Sequence, residues 1–419
     1  MRLGDQGAGD GIMGPENSVP LPPSRPPRPE PGRLRVLLGA AFLMATSAIG
    51  PGFLTQTVVF TEALGASFGF AILVSVLFDL GAQLNIWRII IAARLPAQPL
   101  ADRVLPGLGK LLAVLVAIGG LAFNIGNVAG AGLGLNALFG ISPPVGAVLS
   151  AGFAVALFLS REAGRAMDRF AQVMGIVMVA LTLYVAVAAQ PPIGQALLRT
   201  VAPVRLDVLS ILTIVGGTVG GYITFAGGHR LLDAGLAGPT AIGPATRSAI
   251  TGIGVATVMR VLLFLAALGI VSQGLRLDPA NPPASMFGLA AGPAGYRVFG
   301  AVMWAAAVTS VVGSAYTSVS FVRTLRAGWE GRTTPLIVGF ITVSTLIFLA
   351  VGRPVPVLIA VGALNGLILP FGLTAMLVAG RRAELMRGYR HPIGLTIAGA
   401  LVALAMTAMG GYTIMQLLR

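Results

Sequence analysis

The sequence predicts an all-α polytopic membrane protein with 11 transmembrane helices, and three observations carry that prediction. Of 419 residues, 56% are hydrophobic and only 10% charged, with a mean hydropathy of +0.88. A soluble domain carries about 25% charged residues. Apolar runs long enough to cross a hydrocarbon core of about 30 Å recur from Leu34 almost to the C-terminus. The basic residues fall in the short gaps between those runs. The net charge of +14 therefore belongs to membrane orientation and not to nucleic-acid binding, which needs a basic face on a soluble element.

Residues 1–32 stand apart. The stretch from Pro20 to Pro31 is too rich in proline for a helix, because proline lacks the amide donor and clashes with the preceding turn. With no apolar stretch ahead of a small-residue cleavage site, it reads as a disordered cytosolic tail and not a signal peptide. Residues 33–419 form the transmembrane domain. Its apolar runs cover 34–60, 66–92, 108–138, 143–160, 170–190, 206–228, 246–272, 297–322, 334–351, 354–380 and 392–416, numbered here as spans 1 to 11. A spanning backbone must satisfy its own hydrogen bonds, so each run is read as a helix. With the N-terminus in the cytoplasm, 21 Lys and Arg residues lie inside and 6 outside, and Arg260 stays within the membrane. The odd number of spans places the C-terminus outside. Lys110 is the only lysine, and with 57 glycines this arginine bias fits a GC-rich bacterial genome and an inner (cytoplasmic) membrane. With no cysteine, disulfide and thiolate chemistry are excluded.

Two spans carry helix-breaking sequences at mid-depth. Span 1 contains Gly50-Pro51-Gly52, and span 6 contains Gly216-Gly217-Thr218-Val219-Gly220-Gly221. A pair of interrupted spans at matching places in two halves is the sequence pointer to a transporter site. Spans 1 and 6 match if spans 1–5 and 6–10 form a five-plus-five inverted repeat, about 34–190 and 206–380, with an extra helix at about 392–416. In span 3, Gly126, Gly130 and Gly134 form a small-residue stripe for close helix packing. Asp79 in span 2 and Arg260 in span 7 are formal charges deep in apolar helices, each costing at least about 2.5–3.5 kcal/mol if unpaired. They are expected to pair, mainly as structural glue, with a proton-responsive switch as the other reading. No HExxH, Ser/His/Asp grouping or paired carboxylate lies in a span, so the chain does not read as an enzyme, and no cofactor is expected.

The sequence resembles the Nramp family of metal-ion transporters. The likeness runs over spans 1 to 11 and rests on Asn124-Ile125-Gly126-Asn127-Val128-Ala129-Gly130 continuing to Gly134-Leu135-Asn136, on Thr309-Ser310-Val311-Val312-Gly313-Ser314, and on Leu369-Pro370-Phe371 followed by Arg381-Arg382. The resemblance implies a LeuT-like fold, the five-plus-five repeat and alternating-access transport. The departures fall at the functional positions. The family's Asp-Pro-Gly-Asn ion motif appears as Gly50-Pro51-Gly52-Phe53, its Met-Pro-His lands on Gly220-Gly221-Tyr222, and the span-3 acids associated with proton passage match Asn124 and Asn127.

The break is kept while the metal ligands are lost. A divalent ion needs anionic or strong neutral ligands in exchange for its hydration shell. No acid lies at either break, and no metal-ligand set is assigned. The expected substrate site is Gly50, Pro51, Gly52, Phe53, Gln56, Thr57, Thr218, Gly220, Gly221, Tyr222 and Thr224. Half-helix N-termini with free amides would suit a carboxylate there. The expected cargo is a small organic solute, a carboxylate or amino-acid derivative, moved with a coupling ion, H+ or Na+, by a protein in contact with membrane lipid. A divalent metal transporter with a rebuilt site is the alternative, and a non-transporting membrane sensor the second. Asn124 and Asn127 read equally well as cross-links between helices.

Overall fold

The structure is a computed structural model that describes residues 49–323 and 332–418. The Pro-rich tail and the first half of span 1 lie outside the described residues. Helix α1 (Pro51–Leu64) begins at the proline of the span-1 motif, where the missing amide would have no intrahelical partner anyway. Gly50 before it is extended (φ −93°, ψ −176°). Then come α2 (Phe68–Ala93), α3 (Ala97–Val104), α4 (Leu108–Phe139), α5 (Pro143–Leu159), α6 (Arg161–Ala188) and α7 (Ile193–Val201). Helix α8 (Val208–Val219) is capped by Asp207, whose carboxylate accepts the Ser210 amide at 2.8 Å. It is followed by α9 (Gly221–Asp233), α10 (Ile242–Ser272), α11 (Pro282–Arg323) and α12 (Thr333–Val351). The chain closes with α13 (Pro354–Arg381), α14 (Ala383–Met386) and α15 (Ile393–Leu417).

Among the described residues the regular structure is all helical. Nine segments are long and apolar enough to cross a membrane, and α5 is a shorter apolar helix. Two boundaries differ from the hydropathy reading. Helix α6 starts at Arg161, well ahead of residue 170, because Ser160 caps it by accepting the Ala163 amide at 3.3 Å. Helix α11 reaches back to Pro282 across a kink at Ala291 and Gly292 (φ 66°) just before Pro293. The charged, short α3 and the short α7 are additional to the spans.

Helix α4 is the axis of the bundle, packed along α11, α13 and α5. Two close approaches require glycine. A Cβ at Gly130 would collide with the ring of Pro51, and one at Gly216 with the backbone of Gly362 and Gly366 on α13. The outer helices face lipid: Ile176 and Val187 on α6 are 68% and 70% exposed, an arrangement suited to hydrocarbon and not to water.

The last helix is tied to α2 by one buried polar cluster. Asn85 donates to the carbonyls of Gly81 (2.6 Å) and Leu395 (2.8 Å), so its Oδ1 accepts from Nε2–H of His391 at 2.7 Å. His391 Nδ1 is left buried without a partner. Burial first, and then the nearby cations Arg88 and Arg381, hold the His391 imidazole down to about 4.

Candidate functional site

Between α8 and α9 the helical ladder is interrupted at one residue, Gly220, whose backbone is extended (φ −51°, ψ 168°). The groups freed by the interruption are taken up locally. The Thr224 hydroxyl donates to the carbonyl of Val219, and the Tyr222 amide donates to Asn365 Oδ1 at 3.2 Å. Asn365 in turn donates to the carbonyls of Gly119 and Val361, both at 3.1 Å. Gly216 and Gly217, read from sequence as part of the break, stay helical. They serve instead as flat surfaces for α13 and for Gln56. At the N-terminus of α9, where free amides were expected, the Tyr222 amide is taken by Asn365.

A gap of about 10 Å³, room for one water, lies where α1, α4, α8 and α13 meet. It is lined by Gly50, Gly52, Phe53, Gln56, Phe123, Gly126, Asn127, Gly216, Gly217 and three α13 residues. Gln56 Nε2 donates to the Leu358 carbonyl at 2.7 Å. Gln56 Oε1 and Asn127 Nδ2, both on buried residues, have no hydrogen-bond partner. One acceptor and one donor are thus left unsatisfied on the walls of the same gap.

Next to it, with Phe123 common to both, is a cavity of about 290 Å³. One face of α9 lines it with Tyr222, Ile223, Ala226, Gly227 and Arg230, one face of α6 with Asp168, Gln172, Gly175 and Val179, and α11 with Thr309, Ser310, Gly313 and Ser314. The Tyr222 hydroxyl donates to the Ser314 carbonyl at 3.2 Å, and its ring lies 5.6 Å from that of Phe123. Arg230 donates to the Thr317 hydroxyl at 3.3 Å.

Of the residues picked out by sequence, Gly50, Gly52, Phe53, Gln56 and Asn127 line the gap, and Tyr222 lines the cavity. Pro51 packs on Gly130, and Thr57 returns its hydroxyl to the Phe53 carbonyl at 2.8 Å. Thr218, Gly220, Gly221 and Thr224 shape the interruption without lining either space. Asn124 is fully engaged: it accepts from Ser314 Oγ at 2.9 Å and donates to Ser344 Oγ at 3.1 Å, tying α4 to α11 and α12. Asp79 and Arg260 are both buried and interact electrostatically, but they form no direct ion pair. His229 accepts the Ala97 amide at 3.0 Å and stacks on Phe321, a packing role. Sequence reasoning missed Phe123, Asp168, Gln172, Arg230 and Asn365. Arg230 was within reach, since it follows Tyr222 and Ala226 at four-residue intervals on one helix face. Among the described residues no group of three or more His, Cys, Asp or Glu side chains is placed to hold a metal ion.

The family described as natural resistance-associated macrophage protein-like, Nramp, matches residues 41–416. The chain belongs to the Nramp family. As an Nramp protein it is a multi-pass membrane transporter with a LeuT-like fold. It is 56% identical over 383 residues to the uncharacterised membrane protein YcsG of Bacillus subtilis (strain 168), covering 91% of this chain and 95% of that one. A crystal structure of a manganese transporter from Eremococcus coleocola superposes with a TM-score of 0.69 at 16% identity, covering 92% of this chain and 88% of the other. MhsT in complex with L-phenylalanine matches with a TM-score of 0.60 at 14% identity, covering 89% and 98%. At such identities the two solved structures share the fold with this Nramp protein and nothing finer.

Proposed function

We propose that this Nramp-family transporter is a secondary active carrier of a small organic solute, a carboxylate or amino-acid derivative, working by alternating access. The observation that carries the reading is the donor set beside the interruption. The gap offers an amide oxygen, an amide nitrogen, glycines and an aromatic ring where a divalent ion would need carboxylates. The adjoining cavity is mostly apolar, close to the lower end of small-molecule pockets at about 300 Å³. Arg230 on its wall is a fork-shaped cation suited to a carboxylate. In this reading the bundle has eleven spans in a five-plus-five inverted repeat with spans 1 and 6 interrupted, plus one extra helix. The arginine ledger orients it in the inner membrane with its N-terminus in the cytoplasm. H+ or Na+ is the coupling ion.

Transport of a divalent metal through a rebuilt site is the second reading, favoured by the fold shared with a manganese transporter and by Asp168 in the cavity. Thermal-shift screening of the full chain against monocarboxylates and amino-acid derivatives, followed by proteoliposome uptake, separates the two. The organic reading expects stabilisation by at least one compound, weakened in Tyr222→Ala and Arg230→Gln. Mn²⁺ entry into dye-loaded vesicles with no response to the organic panel overturns it in favour of metal. Neither response from folded protein leaves the sensor.

A further inference from the structure

We infer that Asp79 is a proton-binding site that links the start of α1 to the end of α8, an inference that rests on the transport function proposed above. Asp79 on α2 is the only buried carboxyl among the described residues. One of its oxygens lies 3.4 Å from the hydroxyl of Thr218, in the last turn of α8 just before Gly220. That hydroxyl has a single proton, and its nearest acceptor is the Ile214 carbonyl. With Asp79 ionised, its carboxylate and the Ile214 carbonyl compete for that one proton, whereas a protonated Asp79 donates to Thr218 Oγ, which donates onward to Ile214. Thr218 is bonded to Ile214 and to Asp79 at once only with the proton on Asp79.

Arg260 on α10 completes the device. Its Nη1 donates to the same Ile214 carbonyl at 3.5 Å, and its guanidinium lies 4.2 Å above the ring of Phe53, which walls the gap at the start of α1. Its Nε and Nη2 are buried with no partner. Release of the Asp79 proton to water turns the carboxyl into the one anion within reach of those free N–H groups. Arg260 then pairs with Asp79 and gives up Ile214 and the Phe53 face. Proton uptake reverses the exchange: the ion pair dissolves and Arg260 returns to the ring. One proton thereby sets which neighbours of α1 and α8 Arg260 holds, a two-state element of the kind a switch requires.

Among the described residues, Arg260 is the one charged group that acts on Asp79. The last helix, Ile393–Leu417, has no Asp, Glu, Lys, Arg or His, and the only charged residue of Pro354–Arg381 is Arg381 at its end. From α9, Tyr222 turns its hydroxyl to Ser314, and His229 and Arg230 engage Ala97 and Thr317.

Infrared difference spectroscopy of the purified full chain across a pH titration tests the inference without knowledge of the cargo. The expected result is a protonated-carboxyl C=O band that appears on acidification, is absent in Asp79→Asn and shifts in frequency in Thr218→Val. In Arg260→Gln the midpoint of the band moves about one unit to higher pH, a tenfold gain in proton affinity from loss of the neighbouring cation. A purely structural Asp79 would give no titrating band. Absence of the band in wild type, or its persistence in Asp79→Asn, overturns the inference; should Asp79→Asn fail to fold, an unshifted band in Thr218→Val does the same. A midpoint unmoved in Arg260→Gln overturns the link to Arg260. A band that titrates as expected in a protein that moves neither organic solute nor metal refutes the transport reading and leaves the proton site standing.

Discussion

Asn124 and Asn127 sit three residues apart on α4 in opposite circumstances. Asn124 spends its oxygen and its nitrogen on serines of two other helices, and its side chain is finished as a structural part. Asn127 keeps a buried N–H without a partner beside the gap. Their chemistry is identical, so no reading of residue type separates them; only the serines, distant in sequence, do. Asn365 was invisible for the same reason, since its value lies in facing a Tyr222 amide that is exposed only once Gly220 leaves the helix. His391 shows how a single atom sets a measurable property. Burial, and then the cations Arg88 and Arg381, oppose a second proton on its unpartnered Nδ1, so the folded protein holds it near 4 against an ordinary 6.5. A detached or unfolded His391 binds the proton more readily, so stability is fully present above about 6.5 and is lost as pH falls toward 4. The thermal midpoint in detergent is expected to decline across that window, and the decline is expected to flatten in His391→Gln. An equal slope in both proteins would show that this histidine does not govern it.

At the scale of elements, α8 and α13 are joined through glycine. Gly216 presents its bare Cα to the backbone of Gly362 and Gly366, which cannot withdraw as a side-chain tip would. Gly216→Ala is therefore expected to cost about 1–3 kcal/mol by overpacking. Gly152→Ala on α5, with nothing within 4 Å of the new methyl, is expected to stay within about 0.5 kcal/mol. Equal unfolding midpoints for the two variants in denaturant would deny the close approach. Most transmembrane elements were legible, because twenty or so apolar residues in a row have few other uses. The interruption was legible only as a region: Gly216, Gly217, Gly220 and Gly221 look alike in sequence, and packing alone decides that Gly220 breaks the ladder. The early start of α11 escaped because Gly292-Pro293 reads as a stop, whereas the chain bends there and continues.

For the molecule as a whole, the arginine distribution makes a claim about sidedness. Lys110 at the start of α4 belongs to the inside set and Arg276 after α10 to the outside set, and both side chains are exposed. The chain contains no cysteine, so single reporters are unambiguous. With a membrane-impermeant maleimide on intact spheroplasts, Arg276→Cys is expected to label and Lys110→Cys only after lysis; the reverse pattern would invert the topology. The cavity was less legible than the topology, since its walls combine one face each of α6, α9 and α11, and no single stretch announces it. One contact has a consequence for how such a carrier changes its cargo over evolution. Pro51 is seated against Gly130 by shape, its ring carbons against a bare Cα. The seat that aims the start of α1 is thus separate from the chemistry displayed beside it, so Gly50, whose extended backbone any residue adopts, can diverge while the architecture stays put.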